Sequence, residues 1–392
     1  MTPFKKTLLF CHRWLGFISG LVVFIVSITG CIFCFQDEIQ DAMYDYRHVE
    51  NTGKPYVRPS QLISEVKKTY PKASPEYIYY YGAARPAAVL ANLGNDNFEY
   101  FFLNPYSGKI TYHEKSQTNF FIIVEYIHLY LLLPPAIGTW IVGVSVIIFM
   151  VIMVTGLILW WPKRKSDRKR SFTVKWGGRW RRVNYDLHNV LGFYATSIAM
   201  VLAITGLAIA FEPVSKGIYN TANIGKDIKY EDEVSEPKSD SLKTAGLANR
   251  PVVDLAFSYA RQQVPAAEMF LIHNDPALSG AIGVGAYPKS MHYAKATGFE
   301  FDKYNGRLLK EYIYDKKSPG LKLNEMNYDI HVGQIGGLTT KIIAFLASFI
   351  CSSLPITGFI IWLGKRKKSK SKTLTARGAI HHKTHRRLMR EA

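Results

Sequence analysis

The stretch HRWLGFISGLVVFIVSITG at residues 12–30 returns as HNVLGFYATSIAMVLAITG at residues 188–206. At this offset of 176, His12 falls on His188, Gly16 on Gly192, Thr29-Gly30 on Thr205-Gly206 and Phe35 on Phe211. Each copy is an apolar run with a histidine at one end and a Thr-Gly step near the other. Each is long enough to cross a hydrocarbon core about 30 Å thick. A second pair of runs is related by an offset of 202, which lays Thr155-Gly156 on Thr357-Gly358, Trp160 on Trp362 and Lys163 on Lys365. Duplication at fixed offsets is the main organising signal of the chain.

Four spans follow, at residues 14–35, 137–161, 187–211 and 342–363. The chain has 392 residues, 48% of them apolar, and the apolar residues are concentrated in these runs. With flanking residues the reading divides as 8–36 (first span), 37–118 (first outer segment), 119–162 (interfacial segment and second span) and 163–183 (basic loop). It continues with 184–212 (third span), 213–326 (second outer segment), 327–364 (interfacial segment and fourth span) and 365–392 (basic tail).

The net charge of +19 is uneven. Residues 163–182 hold ten basic side chains against Asp167, and residues 364–392 hold eleven against Glu391, whereas residues 36–136 and 212–336 come to −2 and −1. By the positive-inside rule both termini and the middle loop are cytoplasmic, and the outer segments lie across the membrane. Because the basic residues flank spans, topology and the lipid bilayer account for them, and nucleic acid is not implied. Cys11, Cys31, Cys34 and Cys351 all lie in or beside spans, so no disulfide framework braces the outer segments.

Each outer segment has the same order of elements. The first reads as an amphipathic helix at 60–69, strands at 77–81, 87–90 and 100–103, and a turn at 104–108. The second reads as a helix at 252–263, strands at 269–273, 281–286 and 299–301, and a turn at 302–306. The expectation is a membrane α-helical fold: a four-helix bundle of two tandem repeats, with two small α+β outer domains.

Four of eleven histidines stand at span ends: His12, His128, His188 and His331. His12 and His188 are equivalent. His128 lies nine residues before Ile137 and His331 eleven before Ile342, so matching them takes a one-residue gap. From His12 to Thr29 is about 26 Å of helix at 1.5 Å per residue. Spans two and four run the opposite way, so each membrane face combines two histidines from one pair of helices with two Thr-Gly steps from the other. A single interfacial histidine is simply a helix cap or a snorkelling side chain. Four related by a repeat point to axial ligands of two haems, with Gly30, Gly156, Gly206 and Gly358 giving room at the porphyrin edge. Two histidines per face make a poor zinc or copper site, since Glu125 is the only carboxylate nearby. Depth pairs His12 with His188 and His128 with His331, and other combinations stay open. Two axial imidazoles leave no coordination position for oxygen, which favours one-electron transfer.

Arg13, Arg181 and Arg182 are candidates to meet inner haem propionates. His48, His113, His273 and His292 read as ordinary residues of the outer segments, and His381, His382 and His385 as part of a solvated basic tail. No hydrolase triad, Walker loop or dinucleotide fingerprint is present, and no catalytic residue is singled out.

His12-Arg13-Trp14-Leu15-Gly16, the paired Thr-Gly steps and Leu159-Trp160-Trp161-Pro162 followed by basic residues resemble the PepSY-associated transmembrane proteins of bacteria. The turns Leu103-Asn104-Pro105-Tyr106-Ser107-Gly108-Lys109 and Phe301-Asp302-Lys303-Tyr304-Asn305-Gly306-Arg307 are similar to the end of the PepSY module. The resemblance runs from about His12 to Leu363. It implies an inner-membrane ferric-siderophore reductase with periplasmic PepSY-like domains and two b-type haems, held by histidines at the positions of His12, His128, His188 and His331. Some relatives carry a fused flavin reductase domain. Only 29 residues follow Leu363 here, so the expected electron donor is a separate cytoplasmic molecule or a quinol. The alternatives are a non-redox anchor or permease component whose PepSY domains bind a peptide or protein partner, and a quinol-linked b-type cytochrome with another acceptor.

Overall fold

The computed structural model describes residues 2–162, 164–240 and 250–391, with side chains described up to residue 365. The tail histidines His381, His382 and His385 and the side chain of Lys163 lie outside the described residues.

Four helices are long and apolar enough to cross a membrane: span 1, Pro3–Cys34; span 2, Pro135–Trp160; span 3, Trp180–Ala210; and span 4, Leu338–Lys365. Ile18, Leu21, Trp140, Ile147 and Phe349 stand on them exposed. That much bare apolar side chain is ordinary facing lipid and unfavourable facing water. Span 2 starts on Pro135, whose missing N–H is no loss in a first helical turn. Span 4 carries Pro355 in its interior, and Gly20 of span 1 packs against it: a Cβ on Gly20 would stand 3.3 Å from the proline Cβ. Its backbone continues helical to Glu391. Span 3 contains one π-helical turn, Leu187–Leu191.

The chain forms two compact units, residues 1–31, 128–203 and 345–392 in one and 32–127 and 204–344 in the other. Within the first, Phe17 meets Trp362 edge to face at 5.2 Å and Trp160 stacks on Phe193 at 4.0 Å. These are the same contact made twice, since Phe17 corresponds to Phe193 and Trp160 to Trp362. Met153, Ala195, Ala199, Ala203 and Cys351 form a buried cluster among spans 2, 3 and 4. The small side chains let the helix backbones approach, the usual device where lipid removes any hydrophobic drive to associate. Cys31 donates to the Phe345 carbonyl at 3.5 Å, and none of the four cysteines is in a disulfide.

The second unit is built on one eight-stranded antiparallel sheet of order β4-β3-β2-β1-β5-β6-β7-β8. Its strands are β1 Ser74–Tyr80, β2 Ala87–Asn92, β3 Phe98–Leu103, β4 Ile110–Lys115, β5 Met269–Asn274, β6 Ala281–Tyr287, β7 Thr297–Asp302 and β8 Leu308–Tyr312. The two outer segments therefore share a sheet instead of forming separate domains. β1 pairs with β5, Tyr77 opposite His273 and Tyr80 opposite Phe270. The join covers two strand edges that would otherwise be open to association. The turns at 104–108 and 302–306 each lead into a fourth strand that the sequence reading did not assign, making them hairpins.

Strand alternation puts Ile78, Tyr80, Val89, Phe101, Ile272, Val284 and Phe299 on one buried face. Helices Pro59–Thr69 and Val252–Gln263 cover it with Leu62, Val66, Ala256, Phe257 and Ala260. Each buried valine, leucine, isoleucine or phenylalanine among them contributes about 1.5–3 kcal/mol by leaving water. Asp254 ties the two helices by accepting from Ser60 N at 2.8 Å and Ser60 Oγ at 2.6 Å.

Candidate histidine sites

Each of the four histidines rests on a Thr-Gly step of an antiparallel partner helix. His12 of span 1 lies against span 2, its Nδ1 3.0 Å from Thr155 Oγ1 and its Cε1 3.3 Å from where a Cβ on Gly156 would be. His188, in the π-helical turn of span 3, makes the same seat on span 4: Nδ1 to Thr357 Oγ1 is 2.9 Å, and Cε1 is 3.1 Å from a Cβ at Gly358. A π turn re-aims the side chains it carries and is frequent at functional sites. His12 and His188 are close enough to interact electrostatically.

The other two histidines sit on short helices before spans 2 and 4. His128, on Phe120–Tyr130, places Nδ1 3.2 Å from Thr29 Oγ1 and 2.9 Å from the Val26 carbonyl, and its Cε1 would lie 3.3 Å from a Cβ on Gly30. His331, on Asn327–His331, places Nδ1 3.2 Å from Thr205 Oγ1, and its Cε1 would lie 2.8 Å from a Cβ on Gly206. The one-residue gap between them falls after the histidine. The first repeat reaches span 2 through Leu131 and Leu132, both left-handed at φ 56° and 58°. The second reaches span 4 through Gly333 and Gly337 at φ 79° and 70°. Left-handed leucines cost roughly 1–2 kcal/mol each, strain that surrounding contacts must hold in place.

The four glycines thus meet imidazole rings. They were expected to clear space for a porphyrin edge, but the missing side chain is used one step earlier, to let the ligand ring lie against the neighbouring backbone. The threonine beside each glycine was read from sequence only as a small residue, and its hydrogen bond to Nδ1 emerges only in three dimensions.

The arginines divide. Arg182 is committed to Asp186, Nε to Oδ2 at 2.8 Å and NH2 to Oδ1 at 2.7 Å, and Asp186 is nearly fully buried. Arg13 stacks over Phe10 and Trp14, each at 5.8 Å, and its buried Nε has no hydrogen-bond partner among the described residues. Arg181 is exposed.

Among the described residues no three of His, Cys, Asp and Glu converge as a metal cluster. A haem requires neutral imidazoles held by fixed backbone, space at the ring and a cation for its propionates. Four imidazoles seated on glycine backbone and the orphaned Arg13 Nε fit that group.

The remaining described histidines are taken up locally. His48 donates from Nε2 to the Asp41 carbonyl at 2.8 Å, His113 bonds Glu99, His273 stacks on Tyr77 at 4.6 Å, and His292 donates from Nδ1 to the Ser290 carbonyl at 2.9 Å. On the sheet face opposite the helices, burial raises the phenols of Tyr79 and Tyr81, and raises Tyr100 to about 12. Nearby, Tyr293 meets both Tyr287, at 5.7 Å, and Tyr328, at 5.4 Å.

Compared with known families, residues 9–365 match the PepSY-associated TM region. No curated protein matched the chain.

Proposed function

The chain belongs to the PepSY-associated TM region family, and from that premise we propose that it carries single electrons across the inner membrane to a ferric siderophore through two b-type haems. The observation that carries this reading is the fourfold recurrence of one seat, an imidazole on a Thr-Gly step with Nδ1 2.9–3.2 Å from the threonine hydroxyl. A fortuitous interfacial histidine has no reason to find the same partner four times.

His12 and His188 are the proposed ligands of the inner haem, and His128 and His331 are the proposed ligands on the outer side. The contacts Phe17 to Trp362 and Trp160 to Phe193 support a bundle of two repeated helix pairs. A bis-histidine haem supplies reversible one-electron exchange with no open coordination position. The chain's own residues do the rest. The Thr-Gly steps hold the rings, the apolar spans exclude water, and Arg13 offers a buried cation to an inner propionate. The charge distribution supports cytoplasmic termini and a periplasmic sheet. Electrons then enter from a separate cytoplasmic or quinol donor and leave towards the ferric chelate. Reduction weakens binding by hard oxygen ligands, so one electron per iron suffices for release.

The test is spectroscopic. Protein purified in detergent after haem-replete expression should show a Soret band, with sharp α and β bands on dithionite reduction. A pyridine haemochrome assay should give about two b-type haems per chain, one per pair of axial histidines. His12→Ala and His331→Ala should each remove a different haem. A colourless protein ends the proposal, and unchanged haem content in both variants ends the ligand assignment.

A further inference from the structure

Three of the four seats, those of His128, His12 and His188, share a detail that decides where the imidazole proton sits, and the fourth has the same Thr-Gly step. His128 Nδ1 faces the Val26 carbonyl at 2.9 Å as well as Thr29 Oγ1 at 3.2 Å. His12 also has a hydrogen-bond partner in the Ile152 carbonyl beside Thr155, and His188 in the Leu354 carbonyl beside Thr357. In these three seats the carbonyl is three residues before the threonine. A carbonyl oxygen only accepts, so the His128 Nδ1 that faces Val26 must donate. The hydroxyls agree, because their own protons are already used within the helix. Thr29 donates to the Ile25 carbonyl at 2.8 Å, Thr155 to Ile152 at 3.0 Å and Thr357 to Ser353 at 2.9 Å. Each hydroxyl can therefore meet the imidazole only as an acceptor.

Helix geometry explains why glycine follows the threonine. The carbonyl three residues before the threonine bonds the N–H four residues on, which is the N–H of the glycine. Without a Cβ at that residue the flank of the bond is open, and an imidazole N–H can reach the same carbonyl from the side. One Thr-Gly dipeptide thus builds a two-oxygen acceptor for an incoming Nδ1–H.

We infer that Thr29, Thr155, Thr205 and Thr357 are positioning residues that lock His128, His12, His331 and His188 as Nδ1–H tautomers. Each imidazole then presents the Nε2 lone pair to iron in a fixed ring plane. This rests on the haem reading for its consequence and on geometry alone for the tautomer. An acceptor on the far nitrogen makes a ligating imidazole more basic, which favours the ferric state. Removing it raises the reduction potential of the haem concerned.

The experiment uses the full chain in detergent and replaces threonine by valine, which keeps the shape and removes the acceptor. Redox titration of the α band should show an upward shift of one haem in Thr155→Val and Thr357→Val, and of the other in Thr29→Val and Thr205→Val. The g-values of the ferric low-spin signal should change in the same haem, and Thr155→Ser should restore both readouts. Unchanged potentials and g-values in valine variants that hold two haems would overturn the inference. Nitrogen-15 NMR of labelled histidine in haem-free protein at mildly alkaline pH supplies the second measurement. The four resonance pairs should show protonated Nδ1 and bare Nε2, and the valine variants should lose that bias one histidine at a time. Nε2–H tautomers in the parent chain would refute the assignment. Absence of haem from the parent chain would count against the haem reading and leave the NMR result to judge the threonines.

Discussion

Gly206→Ala separates the imidazole seat from ordinary helix physics. In a helix interior, alanine is preferred to glycine by about 1 kcal/mol, so a glycine with no other duty is improved by the change. A Cβ at Gly206 would stand 2.8 Å from His331 Cε1 and 3.4 Å from Nδ1. Carbon atoms in contact sit about 3.5–4.0 Å apart, so the ring must withdraw by about 1 Å. The Thr205 Oγ1 to Nδ1 hydrogen bond, already at 3.2 Å, cannot survive that movement. Overpacking of this kind costs about 1–3 kcal/mol, which leaves a net loss of up to about 2 kcal/mol after the helical gain. The expected result is weaker retention of one haem, by up to about 30-fold at about 1.4 kcal/mol per factor of ten. The other three glycines grade the effect, their Cβ positions lying 3.1 Å (Gly358) and 3.3 Å (Gly30, Gly156) from the ring. Haem transfer to apomyoglobin should therefore run fastest in G206A, then in G358A, and slowest in G30A and G156A. An equal effect in all four variants refutes the argument, as does a G206A protein that keeps both haems and melts higher than its parent.

Other expectations concern the sheet unit. Burial, with Glu236 nearby, raises the Glu300 carboxyl to about 7. A carboxyl raised on folding binds its proton more tightly in the native state. Its stabilising contribution is full below the unfolded value of 4.5 and is lost as pH rises towards about 7. Glu300→Gln should flatten that fall in a melting series between these limits, and an unchanged slope would show that the carboxyl does not titrate there. Asp329 is fully buried and accepts from Tyr293 N at 3.1 Å, Ala294 N at 2.9 Å and Gln334 Nε2 at 2.7 Å. Asp329→Ala should cost about 3 kcal/mol by stranding those donors, read as a lowered midpoint in thermal unfolding. Buried Lys341 holds both oxygens of half-exposed Glu38, at 2.7 and 2.8 Å. Glu38→Ala strands the ammonium and should lower the melting temperature, whereas Lys341→Met, which removes the charge itself, should be nearly neutral. The reverse order would mean that the pair is stabilising in its own right.

The spans were legible because period and composition act locally. A run such as residues 137–161 has only one stable use in lipid, and the structure differs from that reading by two residues at its start and one at its end. The matching of His12 to Gly156 and of His188 to Gly358 was also within reach, since the depth of each residue along a straight helix follows from counting. The duty of the glycines was not. Whether a cleared space admits a porphyrin or an imidazole depends on the rotation of two helices about their axes, which an apolar run without a polar stripe does not encode. The merged sheet escaped for a related reason. β1 and β5 pair residues far apart in the chain, Tyr79 with Leu271 and Ile78 with Ile272, 192 and 194 positions on, and strand patterning fixes which face is buried without naming the edge partner. The strands after the hairpins, β4 and β8, are short and largely uncovered, ITYHEK and LLKEY, so neither shows the apolar signal that marked the others.

The reading makes the duplication itself necessary to the inner site. His12 and His188 occupy the same place in two copies of one span, and each is held by its own repeat, Thr155 and Gly156 for the first, Thr357 and Gly358 for the second. One repeat therefore builds one complete imidazole seat and half of an axial pair. A half-chain ancestor could ligate a haem at that face only by pairing with a second copy of itself, and covalent duplication fixes that pairing. Once fixed, the two seats are free to diverge. That freedom is visible in the π turn that carries His188, where His12 stays in a regular helix. The two ligands of one proposed haem are thus equal in chemistry and unequal in backbone, so substitutions at Thr155 and Thr357 should move the same potential by different amounts.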